Sequence, residues 1–200
     1  EQEEGLRSPS AAEHFTAAAE LDTREYRLQS KAALAQLAQG RTDDAIHLLK
    51  EAHRRAPRDL VPLLDLATVF QLSGRPQEAV EPYRKALRLA PDSPPIRVAL
   101  SRLYFGLSQD QAALKTIEQG LASVPDPSSL LRYLYDQAQD FMTRGQAARA
   151  MPCLEFLAAH LPNQQAPIRH QIGELHMLMG NGAEATNSFQ QAALLYETAI

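Results

Sequence analysis

Apolar residues along this chain fall near i, i+3, i+4 and i+7 in one helix-length stretch after another, the spacing that gives an α-helix one buried face. Nowhere do four to eight β-branched residues alternate with polar ones, so no strand is predicted. The stretches come in pairs. One carries Leu63, Leu66, Ala67 and Phe70, and the next carries Ala79, Tyr83, Ala86 and Leu87. Between them stands Gly74, able to take positive φ and end the first helix. Pro76 suits the opening position of the second, where its missing N–H costs nothing. Pro91 stops the pair. Ser10 with Glu13 and Asp22 with Glu25 read as capping boxes, and Asp126 stands just before Pro127 at another predicted start.

The pairs repeat. "GRTDDAIHLLKEAHRRAP" (40–57) and "GRPQEAVEPYRKALRLAP" (74–91) place Gly, Ala, Ala and Pro at a fixed offset of 34. Pro125 follows Pro91 by 34, with Ser108 in the glycine position and Ala113 and Gly120 for the two alanines. Gly145, Ala150 and Pro162 continue after a step of 37, and Gly180, Ala185 and Ala192 after a step of 35. Ala11, Phe15 and Ala18 stand 34 before Ala45, Leu49 and Ala52. A fixed period of this size is the signature of a repeat architecture. Its unit is a helical hairpin. Small Ala67 and Ala79 let helix A and helix B cross closely, Phe70 and Tyr83 fill the space between one pair and the next, and the positions that drift face solvent or a groove. The three extra residues of the fourth repeat fall between Pro125 and Gly145, in the loop or the start of helix A, because Gly145–Pro162 and Gly40–Pro57 are equally spaced. That stretch holds Leu130, Leu131, Tyr133, Leu134 and Tyr135, too many apolar residues for one buried stripe, so some should reach the groove or its rim.

The pattern resembles the tetratricopeptide repeat family. Leu63, Leu66-Ala67, Phe70, Gly74, Ala79, Tyr83, Ala86 and Pro91 match its unit, as do Leu100-Ser101, Tyr104, Ala113, Ile117, Gly120 and Pro125, and later Ile172-Gly173, Gly180, Ala185, Phe189 and Ala192. The resemblance implies an all-α, right-handed superhelical solenoid of helix-turn-helix repeats. After a flexible segment 1–8, residues 9–200 read as one array: a leading half-repeat 9–22, then repeats 23–57, 58–91, 92–125, 126–162 and 163–197, about five and a half in all. Departures are Gln29 and Gln36 at usually apolar positions of the first helix A, Pro82 and Pro152 inside helices B, where a proline costs on the order of 3 kcal/mol and bends the helix, and the lack of a closing proline in the fifth repeat. The leading half-repeat lacks its helix A and the tail "QQAALLYETAI" is apolar. The array is therefore expected to continue in a parent protein or to pack its ends on something, since such arrays need polar caps.

Composition narrows the function classes. Two hundred residues, 44% apolar and 22% charged, suffice for a sizeable core. A net charge of −4 with no basic stripe argues against nucleic acid, and no apolar run approaches the roughly 20 residues of a membrane span. The chain does not begin with Met and shows no signal peptide, so it reads as a processed form or an excised piece. Arg outnumbers Lys, and Ala, Leu and Gln are abundant, as in a bacterial genome rich in G and C. The compartment is periplasmic or cytoplasmic, with a lean to a bacterial periplasm.

Catalytic and metal chemistry find no foothold. His47 and His53, like His170 and His176, are six apart, whereas ligands on one helix face stand at i, i+3 or i+4. The single Cys153 has no histidine beside it and reads as a small core residue. Asp43-Asp44 opens a helix B and complements its dipole. No glycine-rich phosphate loop and no placed carboxylate pair occur. The expectation is a chain that is not an enzyme and carries no cofactor and no metal.

Function should then lie in the groove, which in the family is lined by helices A. Counting one turn apart gives Arg27, Ser30, Lys31 and Leu34; Val61, Leu64, Asp65 and Thr68; Val98, Ala99, Arg102 and Phe105; Arg132, Tyr135, Asp136, Gln139 and Met142; His170, Gln171, Glu174 and Met177. The expected binding residues are Leu64, Thr68, Val98, Arg102, Phe105, Arg132, Tyr135, Asp136, Gln139, Met142 and Met177. Among them Tyr135, Phe105 and Met142 form the apolar anchor, flanked by Arg102 and Arg132. Family members that grip the C-terminal carboxylate of chaperones use Lys, Asn and Arg where this chain has Ser30, Leu34, Asp65, Pro95 and Ala99, so that partner type is rejected. A mixed groove suits a helical or extended protein segment. The chain reads as a non-catalytic interaction scaffold of a larger bacterial protein or of an envelope, secretion or exopolysaccharide-export assembly. The alternative is a docking or regulatory domain of a larger enzyme, a transferase or peptidase.

Overall fold

Every predicted A-to-B turn is made by a backbone at positive φ: Gly40 at 77°, Gly74 at 72°, Gly145 at 70°, Gly180 at 78°, and Ser108, in the glycine position of the third repeat, at 57°. At Gly74 a side chain would be strained, and the turn closes when the Arg75 N–H donates to the Phe70 carbonyl at 2.8 Å. The same bond recurs as Arg41 to Gln36, Gln109 to Tyr104, Gln146 to Phe141 and Asn181 to His176.

The computed structural model of the chain describes residues 26–198, with side chains from 28 to 197. The expected segment 1–8, the half-repeat 9–22, both N-terminal capping boxes and the side chain of Arg27 lie outside them. The described residues form ten α-helices and no strand. They divide after Gln109 into two compact units. The first holds α1 (Tyr26–Ala38), α2 (Thr42–Arg55), α3 (Val61–Leu72), a 3-10 turn (Pro76–Ala79) running into α4 (Val80–Leu89), and α5 (Pro94–Gly106). The second holds α6 (Asp110–Ser123), α7 (Ser128–Thr143), α8 (Ala147–His160), a 3-10 turn (Pro162–Gln164), α9 (Gln165–Leu178) and α10 (Gly182–Thr198). Odd-numbered helices are helices A and even-numbered ones helices B, as the sequence pattern predicts.

Within each unit a helix packs on its neighbours in sequence and on the equivalent helix of the next repeat, as α1 does on α3 and α6 on α8. The first core joins Leu49, Leu63, Leu66, Phe70, Tyr83, Ile96 and Leu100 around Ala33, Ala45, Ala67 and Ala79. Fully burying each large side chain there is worth about 1.5–3 kcal/mol. Gln29 and Gln36, 34 residues before Leu63 and Phe70, are 3% and 6% exposed, so the first hairpin keeps the register with amides in core positions. In the second unit Leu130, Leu134, Ala138, Ala150, Leu154, Leu157 and Leu175 are all fully buried.

The prolines behave differently from each other. Pro82 is not in a helix interior: the 3-10 turn at Pro76–Ala79 precedes α4, and Pro82 falls in the first turn of α4, where its missing N–H leaves no interior bond unmade. Pro152 does sit inside α8. Beside it Cys153 is fully buried, its thiol pushed up to about 12 by that burial, which fits the expected core role.

Arginines tie consecutive helices B together. Arg75 donates to Asp43, at the start of α2, at 3.1 Å and lies 5.3 Å from the centroid of the Phe70 ring. Arg149 donates to both carboxylate oxygens of Asp110, at the start of α6, at 2.8 and 2.5 Å, and lies 4.3 Å from the Phe141 ring. Asp43 therefore does more than complement a helix dipole.

Three predictions follow from this packing. Ala79, fully buried at the crossing, changed to leucine should lose about 1–3 kcal/mol in chemical denaturation; a change near zero would remove it from the crossing. At Gly173 a Cβ would stand 2.6 Å from the Phe189 ring. Gly173→Ala should therefore destabilise, although its helix propensity alone would add about 1 kcal/mol. In a Phe189→Leu background the same substitution should become neutral or stabilising, and a cycle with no coupling would refute the contact. The third concerns His53, whose pKa is lowered by burial first and by Lys85 second. The folded chain then holds fewer protons than the unfolded chain below about pH 6.5, so this contribution is full above that pH and declines beneath it. Glu51, held at about 2 by hydrogen bonds from Arg54 and Arg55, loses its contribution only below the ordinary carboxylate range. Melting temperature should fall from pH 7.5 to 5.5 and His53→Gln should flatten that slope; an unchanged slope excludes His53 as its source.

Candidate functional site

The three extra residues of the fourth repeat are helical. The connectors before α5 and α7, residues 90–93 and 124–127, are equally long, while α5 has 13 residues and α7 has 16. Asp126 fixes the start of α7 by accepting the Ser128 N–H at 3.0 Å, a bond that also holds its carboxyl below the usual range. Leu130 and Leu134 go to the core at 0% exposure, and Leu131 lies at its margin at 9%. Tyr133 and Tyr135 are half-buried. The surplus of apolar residues in this stretch thus splits as its pattern implies.

One turn apart on α7, Leu131, Arg132, Tyr135 and Asp136 line a cleft of about 550 Å³. Its other walls are Asp126, Pro127 and Ser128 before and at the start of the helix, and Leu161 and Gln164 from the α8–α9 connection. Arg132 and Asp136 are exposed, and neither has a hydrogen-bond or ion-pair partner among the described residues. Tyr135 is held from behind. The Gln171 side-chain amide on α9 donates to its hydroxyl at 3.2 Å, and the Gln139 amide donates to the Gln171 carbonyl oxygen at 3.3 Å. Two helices A thereby share a polar ladder that orients an aromatic ring at a cleft carrying one free cation and one free anion. Such a site can clamp a segment that has an apolar side chain and charges of either sign; nothing in it is arranged for bond making.

The other expected residues distribute as follows. Met142 is half-buried on α7, and Met177, on α9, is 60% exposed beside Leu178 at 77% and Met179 at 44%. In the first unit Leu64 packs against the core and Thr68 donates its hydroxyl to the Leu64 carbonyl at 2.9 Å. Val98 is half-buried. Arg102 is exposed and bears on the phenol of Tyr83, whose pKa burial raises and Arg102 lowers. Phe105 requires a correction: at 3% exposure it is a core residue and cannot anchor a partner. Met142 and Met177, each also three residues before its turn residue, are half-buried and exposed, so the burial of Phe105 does not follow from its place in the repeat. Sequence reasoning missed Leu161 and Gln164, which belong to a connector rather than to a helix A, and it assigned Gln171 no binding or positioning role.

Two models of the tetratricopeptide repeat match the chain, over residues 25–92 and 70–138, together more than half of its length. The chain belongs to the tetratricopeptide repeat family. Repeats of this family are in general non-catalytic interaction modules. A search by sequence among curated proteins gives no match. Among solved structures, a tetratricopeptide repeat protein from Parabacteroides merdae is similar with a TM-score of 0.55 and 18% identity, covering 92% of this chain and 72% of that one. YrrB, described as a TPR protein with an unusual peptide-binding site, is similar with a TM-score of 0.54 and 16% identity, over 92% and 93% of the two chains. MamA is similar with a TM-score of 0.54 and 19% identity, over 88% and 94%. At such identities the likeness speaks for the fold, an all-α tandem of helix-turn-helix repeats.

Proposed function

We propose that this tetratricopeptide repeat chain is an interaction scaffold, and that the α7 cleft anchors a helical or extended segment of a protein partner. The observation that carries this reading is the Tyr135 ring, positioned by Gln171 and flanked by Arg132 and Asp136 with their charges unspent. An apolar side chain of the partner covers the ring, and its neighbours pair with the guanidinium and the carboxylate. Desolvated aromatic and arginine side chains are the usual centres of binding energy. The setting we infer is a larger bacterial protein or an assembly of the envelope, secretion or exopolysaccharide-export kind, where tandem arrays of such repeats are frequent.

The test is to capture the partner from source lysate, identify it by mass spectrometry, and measure its affinity for the wild type and for the Arg132→Ala, Tyr135→Ala double variant. The variant should keep its helical melt, because neither side chain is in the core, and bind at least tenfold more weakly, about 1.4 kcal/mol. A folded double variant that binds as tightly as the wild type would move the binding face away from α7.

A further inference from the structure

The first unit holds a second cavity, of about 370 Å³, bounded by two successive helices B, α2 and α4, with α3 beneath. None of the expected groove residues lines it. Its floor is largely apolar: Leu63, Leu66 and Phe70 are at most 6% exposed, Pro82 is buried, and the half-buried ring of His53 completes the lining. Its rim consists of long charged side chains, Lys50, Glu78, Glu81 and Lys85, all exposed. Flexible stems of this kind lie over apolar surface while their heads stay in water, so they can move aside for a guest.

The rim charges are not equivalent. Glu78 accepts from Arg75 at 2.6 Å and Glu81 from Arg88 at 3.0 Å, so both carboxylates are already paired. Lys50 and Lys85 have no hydrogen bond or ion pair among the described residues. Counting the two arginines and Asp43, which shares Arg75, four cations stand against three carboxylates, an excess of one in a chain whose net charge is −4. In this cavity an apolar floor and unpaired positive charge coincide.

We propose that this cavity receives an aromatic side chain from an acidic peptide segment, the ring on Leu63, Leu66, Phe70 and Pro82 and the flanking carboxylates on Lys50 and Lys85. The volume accommodates one large side chain, and aromatic rings give the largest apolar burial per side chain. The two cations sit on neighbouring helices B, so a peptide lying across α2 and α4 meets both. This site is separate from the α7 cleft and stands or falls independently of it.

The chain contains no tryptophan, so tryptophan emission from a capped Asp-Glu-Trp-Asp-Glu peptide reports binding directly. Titration with the intact chain should shift the emission to the blue and saturate. Lys50→Glu with Lys85→Glu should weaken binding at least tenfold, and added salt should weaken it further. The same peptide with alanine for tryptophan should fail to compete, and Tyr135→Ala should leave the affinity unchanged. Helical melts verify the variants, with Lys50→Gln and Lys85→Gln as the milder pair. Four outcomes overturn the proposal: no emission shift up to millimolar protein; unchanged affinity after charge reversal; loss of binding in Tyr135→Ala, which would put the peptide in the α7 cleft; or displacement by dodecanoate, which would make the occupant a lipid-like amphiphile.

Discussion

The fold rests on one steric constraint: in the hairpins that lie within one unit, helix A must offer almost no side chain where helix B crosses it. Helix A supplies Ala33, Ala67, Ala138 and Gly173 at that register, and helix B supplies Ala45, Ala79, Ala150 and Ala185, always twelve residues later. All are buried. The constraint has internal logic. The bulky helix-B position is Leu154 in the fourth repeat and Phe189 in the fifth, while its helix-A counterpart changes from Ala138 to Gly173. An added Cβ at Gly173 would stand 2.6 Å from the ring, closer than packed atoms approach. In the fifth repeat the methyl group given up on helix A makes room for the Phe189 ring, whereas Tyr83 at the same position of the second repeat packs with Ala67 in the core.

Apolar packing alone would leave consecutive helices B free to slide along their shared seam. The Asp43–Arg75 and Asp110–Arg149 pairs oppose that, each joining the start of one helix B to the start of the next. They differ in worth. Asp43 is 94% exposed, and a pair so wet contributes at most about 1 kcal/mol. Asp110 and Arg149 are each 25% exposed and bonded through both oxygens, a stronger geometry that also carries a larger desolvation cost. In both, the guanidinium also lies over a phenylalanine of its own helix A, so one side chain links the hairpin to its neighbour and covers its ring.

Local rules were legible in the sequence and long-range ones were not. Glycine, proline and alanine at fixed offsets identified turns, stops and crossings, because each acts through φ, a missing N–H or a missing side chain that no partner can replace. Of the site, Arg132, Tyr135 and Asp136 were legible because an apolar surplus on one helix must spill onto a second face. The cleft's far wall at Leu161 and Gln164 was not, since which connector folds over a helix is decided by contacts some 30 residues away. Nor were the arginine ties, separated by 32 and 39 residues. Pro82 was misplaced because it falls in the first turn of α4, just after a 3-10 turn, where bonding departs from the regular helix; Phe105 shares a repeat position with the more open Met142 and Met177, so no periodicity marks it as buried.

The same constraint explains where recognition can sit. The crossing, the turn and the filler positions admit few residues, so binding chemistry is confined to side chains the packing does not use. Arg132 and Asp136 meet this condition on a helix A, and Lys50 and Lys85 meet it on helices B. Each pair stands over apolar residues that the fold already needs, Leu131 in one case and Leu63, Leu66 and Phe70 in the other. In both proposed sites the fold supplies the hydrophobic floor, and the free positions would supply the charge that selects a guest. Because those charges are exposed and unbonded, exchanging them costs the fold little, typically within about 0.5 kcal/mol. Specificity can therefore change at these positions while the spacing of alanine, glycine and proline stays fixed, which is the pattern of copied and drifting residues that the chain displays.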